Sequence, residues 1–128
     1  MSHDSKNKGP SQRQLRVGEE IRHALSDVMS RGEIRDPDIA DMSITVTEVR
    51  ISPDLRNATA YVTPLGGGDD ALMLAALNRC AGFLRGRIGS MVRLRNTPKI
   101  AFVADKSFEN AAHIDELLRR VHEEDQDD

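Results

Sequence analysis

An α+β domain, with a three-stranded sheet packed against helices, is the fold class this sequence predicts. Three observations carry the expectation. Apolar residues recur at helical spacing before Gly32, between Asp70 and Thr97, and again after Asn110. They alternate at strand spacing between Ser43 and Thr63. Breaks at Asp36-Pro37, Ser52-Pro53, Pro64 to Gly68 and Thr97-Pro98 separate the two regimes. At 128 residues the chain has the length of one domain. A domain of that size buries roughly two-thirds of its unfolded surface.

Leu15, Val17, Ile21, Ala24, Leu25, Val28 and Met29 lie near helical spacing, so a first amphipathic helix starts after Pro10–Ser11 and ends before Gly32. Residues 33–41 contain Asp36-Pro37, which opposes helix continuation and suits a connector. Ser43 to Ile51 is rich in β-branched residues, with Ile44 and Val46 in one phase and Val49 and Ile51 in the other. That change of phase places a bulge near Thr47–Glu48. After a turn at Ser52-Pro53-Asp54-Leu55, Asn57 to Thr63 alternates again and makes an antiparallel partner. Asp69-Asp70 then offers an N-cap and first turn for a helix. Met73, Leu77, Cys80, Leu84, Ile88 and Met91 follow as one apolar stripe over two helical pieces. Lys99 to Ala104 is a third strand, and Asn110 to His122, with Ile114, Leu117, Leu118 and Val121 on one face, is a last helix. The order is α-β-β-α-α-β-α. Residues 1–12 read as a polar N-terminal tail, 13–122 as the domain, and 123–128 as an acidic, disordered tail.

Charge is distributed unevenly. No acid occurs between Asp70 and Asp105, where the charged side chains are Arg79, Arg85, Arg87, Arg93, Arg95 and Lys99. The formal net charge is −3, and removing the five acids of residues 123–128 takes it to +2. A one-sided positive segment in such a chain suits a phosphate backbone as partner. A solvated cationic face is the plainer alternative.

The long stripe breaks at Cys80-Ala81-Gly82. Glycine in a helix interior costs on the order of 1 kcal/mol against alanine, which makes sense where a helix kinks or restarts. A restart exposes backbone N–H groups at a positive dipole end, and the absent side chain admits a phosphate. Arg79 and Arg85 flank the break. A literal Gly-any-any-Gly occurs at Gly86-Arg87-Ile88-Gly89, but a joint there would leave only a stub of second helix before Thr97-Pro98.

An α-β-β-α-α-β order with a small-residue joint resembles the type II KH domain of RNA-binding proteins. More closely, the chain resembles the ribosome-binding factor A (RbfA) family, from about Gln12 to Val121. Arg13-Gln14-Leu15-Arg16-Val17, Val49-Arg50-Ile51-Ser52-Pro53-Asp54-Leu55-Arg56-Asn57-Ala58 and Tyr61-Val62 carry the likeness in the first half. Cys80-Ala81-Gly82-Phe83-Leu84-Arg85, Arg93-Leu94-Arg95-Asn96-Thr97-Pro98-Lys99-Ile100-Ala101-Phe102 and Asp105-Lys106-Ser107 carry it in the second. That family has Ala-any-Gly at the joint, where this chain has Cys80 as the first residue. The resemblance implies binding to small-subunit ribosomal RNA and to immature small subunits. It also implies a role in late rRNA maturation and in growth at low temperature, and release assisted by the assembly GTPase RsgA. The residues expected at the RNA are Arg79, Cys80, Ala81, Gly82, Arg85 and Arg87 at the joint, with Arg93, Arg95 and Lys99 extending a phosphate track.

Other functions find little support. The single cysteine, Cys80, excludes a disulfide framework or a CxxC metal site within one chain. His3, His23, His113 and His122 show no paired ligand spacing, and Asp36, Asp38 and Asp41 lack the spacing of a calcium loop, so turn and capping roles are expected for them. Glycines 66–68 are followed by no Lys-Ser or Lys-Thr and read as a flexible loop. Neither a signal peptide nor a membrane-spanning run is legible, so the cytoplasm is the default location. Without a nucleophile–base or metal constellation no enzymatic activity, cofactor or metal is expected, and a monomer is. With no Trp, one Tyr and three Phe, the chain is poor in rings for stacking bases on a sheet. A module docking on an acidic protein partner and a general RNA chaperone are the rival readings.

Overall fold

A computed structural model describes residues 9–107 and 116–121 of the chain. Helix α1 (Gln12–Ser30) is followed by strands β1 (Ile44–Ile51) and β2 (Asn57–Pro64), helices α2 (Asp70–Arg79) and α3 (Ala81–Met91), and strand β3 (Lys99–Ala104). Residues 116–121 are helical. They match part of the last helix expected over Asn110 to His122; its remaining positions lie outside the described residues. The strands form one sheet in the order β1-β2-β3, with β1 and β2 antiparallel and β2 and β3 parallel. The α2–α3 pair supplies the crossover that parallel strands require.

Local chemistry fixes the element ends. Ser11, expected in the tail, is the N-cap of α1: its hydroxyl accepts from Gln14 N at 3.1 Å, and Ser11 N donates to Gln14 Oε1 at 2.9 Å. This reciprocal pair satisfies two donors left open at the helix start. Gln14 Nε2 also donates to Ile51 O at 2.8 Å, tying α1 to the end of β1. Asp69 caps α2 by accepting from Leu72 N at 3.1 Å.

The expected bulge is present, with the β1–β2 register shifting between Val46 and Glu48. Skipping Thr47 brings Val46, Val49 and Ile51 onto one buried face despite their change of phase. The Thr47 hydroxyl donates to Tyr61 O at 3.2 Å and to the Asp105 carboxylate, so the extra residue locks the sheet instead of loosening it.

One face of the sheet carries the core. Val46, Val49, Ile51, Ala58, Ala60, Val62, Ile100 and Phe102 meet Val17, Ile21, Leu25 and Val28 of α1, Met73 and Leu77 of α2, and Leu84 and Ile88 of α3. Helix α1 lies so close to β1 that a Cβ on Gly18 would fall 2.6 Å from Val49 O. The expected apolar face of the last helix is not covered: Leu117, Leu118 and Val121 are all exposed. Among the described residues, no helix is long and apolar enough to cross a membrane.

Candidate nucleic-acid interface

The helix pair breaks where the glycine pattern placed the joint. Helix α2 ends at Arg79, Cys80 occupies the junction at φ −91° and ψ 4°, and α3 starts at Ala81. Cys80 N donates back to Ala76 O and Leu77 O, closing α2. Leu84 N reaches Cys80 O at 2.9 Å and opens the hydrogen-bond ladder of α3. The Cys80 side chain caps nothing, and no side chain accepts from the amides of Ala81, Gly82 and Phe83 among the described residues. The α3 dipole adds positive potential at this point, opposed by the C-terminal end of α2 one residue away. Gly86 and Gly89 lie inside α3, not at the joint.

Gly82 is exposed, outside the left-handed region, and a Cβ there would meet nothing within 4 Å. Neither backbone conformation nor intramolecular packing demands a glycine. Cys80 is half-buried, and burial, reinforced by the Asp36 charge, pushes its thiol above the ordinary value. A protonated thiol is a poor nucleophile, so Cys80 serves the joint as a small side chain.

The six cations of the acid-free stretch divide into two groups. Arg79 is held by the connector between α1 and β1: Nε donates to Asp36 at 3.1 Å and Nη2 to Asp38 at 2.8 Å. Asp36 also accepts from Asp38 N at 3.0 Å, which is the turn role expected of it. Arg87 points to the same connector, with Nε 2.9 Å from Glu33 Oε1 and Nη2 donating to Glu33 Oε2 at 3.4 Å. Arg85 turns the other way and donates from Nη2 and Nε to Thr97 O, at 2.8 and 3.2 Å, fixing the loop between α3 and β3. The side chains of Arg93, Arg95 and Lys99 are exposed and make no hydrogen bond or ion pair among the described residues. Lack of sequence neighbours of opposite sign therefore does not make Arg79 and Arg87 free in space.

The unpaired cations do not form a single row. Arg93 lines a groove with Glu20, His23 and Asp27 of α1, whereas Arg95 lines another with Arg13 and Arg56. Lys99 N donates to Arg56 O at 2.9 Å, so β3 begins beside Arg56. Arg13 and Arg56 were not among the expected contacts, because their approach to Arg95 depends on the fold. Phe83 also escaped notice: it is 48% exposed and follows Gly82 at the start of α3. Tyr61, in contrast, has the Arg50 guanidinium 5.1 Å from its ring centroid, so that face of the ring is covered. No group of three or more potential metal ligands occurs among the described residues.

Fold and surface together define a small α+β module with a broken helix pair and cationic side chains left without counter-ions. The ribosome-binding factor A family model matches residues 13–118, and the chain belongs to that family. Ribosome-binding factor A of Maricaulis maris (strain MCS10) is 58% identical over 113 residues, covering 88% of this chain and 80% of that protein. The crystal structure of ribosome-binding factor A from Thermus thermophilus superimposes with a TM-score of 0.61 at 25% identity, over 71% of this chain and 94% of that one. A homology model of the Thermus thermophilus factor, as fitted into the cryo-EM map of a 30S–RbfA complex, matches with a TM-score of 0.59 at 24% identity, over 73% of this chain and 96% of that one.

Proposed function

We propose that this protein binds the small ribosomal subunit through its ribosomal RNA and assists late maturation of that subunit. The observation that carries the reading is Gly82, an exposed glycine in the first turn of α3, where no side chain caps the amides and for which the protein's own packing gives no reason. An approaching phosphate supplies one, in the manner of a KH-like joint. Family membership and the Thermus factor's place in a 30S complex point to the same partner. Cys80, Ala81 and Gly82 present the joint, and Arg93, Arg95 and Lys99 extend the cationic surface beyond the far end of α3. Arg79, Arg85 and Arg87 hold the connector and the α3–β3 loop in place. Nη1 of Arg79 and of Arg85 is left for RNA, whereas Glu33 and Ser90 engage every nitrogen of Arg87, which contributes its charge alone. The protein acts as a cytoplasmic monomer without cofactor or catalysis. Its roles in rRNA processing and cold growth, and its release by RsgA, are part of the same proposal.

Gly82→Asp tests the joint cleanly. An acid in the first turn of α3 favours the helix, so lost binding would not come from unfolding. Gradient sedimentation of a cell extract should place the native protein with small subunits and Gly82→Asp at the top, with matching circular dichroism. If the variant still co-sediments, the joint is not the contact. With about four phosphates neutralised, the log–log salt slope for single-stranded RNA should lie near −2.8, a loss of about 50-fold between 50 and 200 mM salt. Tight binding to one protein without saturable RNA affinity would favour the acidic-partner alternative.

A further inference from the structure

We infer that the groove between the start of α1, the β1–β2 turn and the α3–β3 loop is a second phosphate-binding site, built by Arg13, Arg56 and Arg95, for the backbone of single-stranded RNA. The inference rests on the RNA-binding reading and adds a contact away from the Cys80–Gly82 joint.

The three arginines come from segments far apart in sequence yet line one groove, together with Ser11, Asn96 and Asp54. None of the three makes a side-chain hydrogen bond or ion pair among the described residues. The one acid present, Asp54, offsets only part of their charge: its Oδ1 accepts from Ser52 Oγ at 2.6 Å and from Arg56 N at 3.0 Å, and these bonds, with the nearby Arg56 charge, hold its carboxyl below the usual range. Arg13 stands in the first turn of α1, which contains no acid. A cation there opposes the helix dipole, so its position is electrostatically unfavourable until an anion arrives. With the dipole it concentrates positive potential in the groove.

Each arginine is carried on a fixed backbone. Arg56 follows Leu55, which holds a φ of 61°, a left-handed conformation unusual for leucine. That turn is closed by Leu55 N to Ser52 O at 2.9 Å and Asn57 N to Ser52 Oγ at 3.0 Å. Strain of this kind persists where surroundings over-determine it and gathers at ligand sites. Arg95 sits on the loop that Arg85 pins through Thr97 O. The groove measures about 270 Å³, just under the roughly 300–1,000 Å³ of small-molecule pockets, so it has room for a phosphate and part of the sugar that carries it. Three unpaired guanidinium groups, suited to bidentate contact with phosphate oxygens, set its chemistry.

Fluorescence anisotropy with a labelled single-stranded RNA, run over a salt series, tests the site. The protein as it stands should bind, and failure to bind would remove the RNA reading itself. Arg13→Gln with Arg56→Gln should weaken binding and flatten the log–log salt slope by about 1.4, as expected for two lost phosphate contacts. Arg13→Lys with Arg56→Lys keeps the charge and should keep most of the slope, which separates loss of charge from loss of fold. If the protein binds RNA and the double glutamine variant matches it in affinity and slope, the groove is not a phosphate site, while the joint reading stands.

Discussion

Three of the eleven residues of α3 are glycine, and they are there for different reasons. Gly89 is needed for packing: a Cβ would sit 2.9 Å from Thr97 Oγ1, in the loop that Arg85 also grips. Gly82 and Gly86 have open space around them and ordinary backbone angles. Gly86→Ala should therefore stabilise the protein by about 1 kcal/mol through helix propensity, raising the melting temperature by about 4 °C. Its RNA affinity should stay unchanged. Gly82→Ala should stabilise less, being at the helix start, and should weaken RNA binding because the methyl group stands where a phosphate would approach. Thermal melts and anisotropy on the two variants read both quantities. Equal affinities would mean that Gly82, like Gly86, is free of contact. Gly18 is the opposite case: alanine there drives a Cβ into Val49 O, at a cost of about 1–3 kcal/mol of overpacking.

At the scale of elements, the connector between α1 and β1 serves as a counter-charge for the helix pair. Glu33 faces Arg87 of α3, while Asp36 and Asp38 clasp Arg79 of α2, so one segment spans the joint from behind. Surface ion pairs of this kind add little to stability, and their main effect is on where the charge points. Asp36→Asn with Asp38→Asn should release Arg79 and remove two negative charges near the joint. RNA affinity should rise, and amide exchange over residues 31–41 should quicken. Faster exchange without tighter binding would place Arg79 outside the contact. These pairs also mark the limit of reading the sequence. Periodicity located every strand and the two central helices, because burial on one face forces apolar residues into register with each element. Even the bulge at Thr47 showed itself, as a change of phase within one strand. Charge partners follow no such local rule: Arg79 meets Asp36 across 43 residues, and Arg13, Arg56 and Arg95 converge only when α1, the β1–β2 turn and the α3–β3 loop are assembled. The joint was legible from Cys80-Ala81-Gly82; the division of its arginines into held and unpaired groups was not.

For the whole molecule, net charge and local charge point in opposite directions. The chain carries −3 overall, yet its acid-free stretch from Ala71 to Ala104 bears six cations, and five acids are gathered in residues 123–128. A polyanion approaching from a distance meets the summed field first and the local arginines only at contact. Deleting residues 123–128 takes the formal charge to +2 and leaves every residue of the joint and the groove in place. The shortened protein should therefore associate with single-stranded RNA faster and a few-fold more tightly at low salt. Screening decides whether the cause is the long-range field: the Debye length is about 30 Å at 0.01 M salt and about 10 Å at 0.1 M. Stopped-flow association rates for the two forms should differ at the lower concentration and converge at the higher one. A difference that survives high salt would mean the acidic residues touch the binding surface directly, competing with RNA for its arginines. No difference at either concentration would mean that association is governed by the arginines alone.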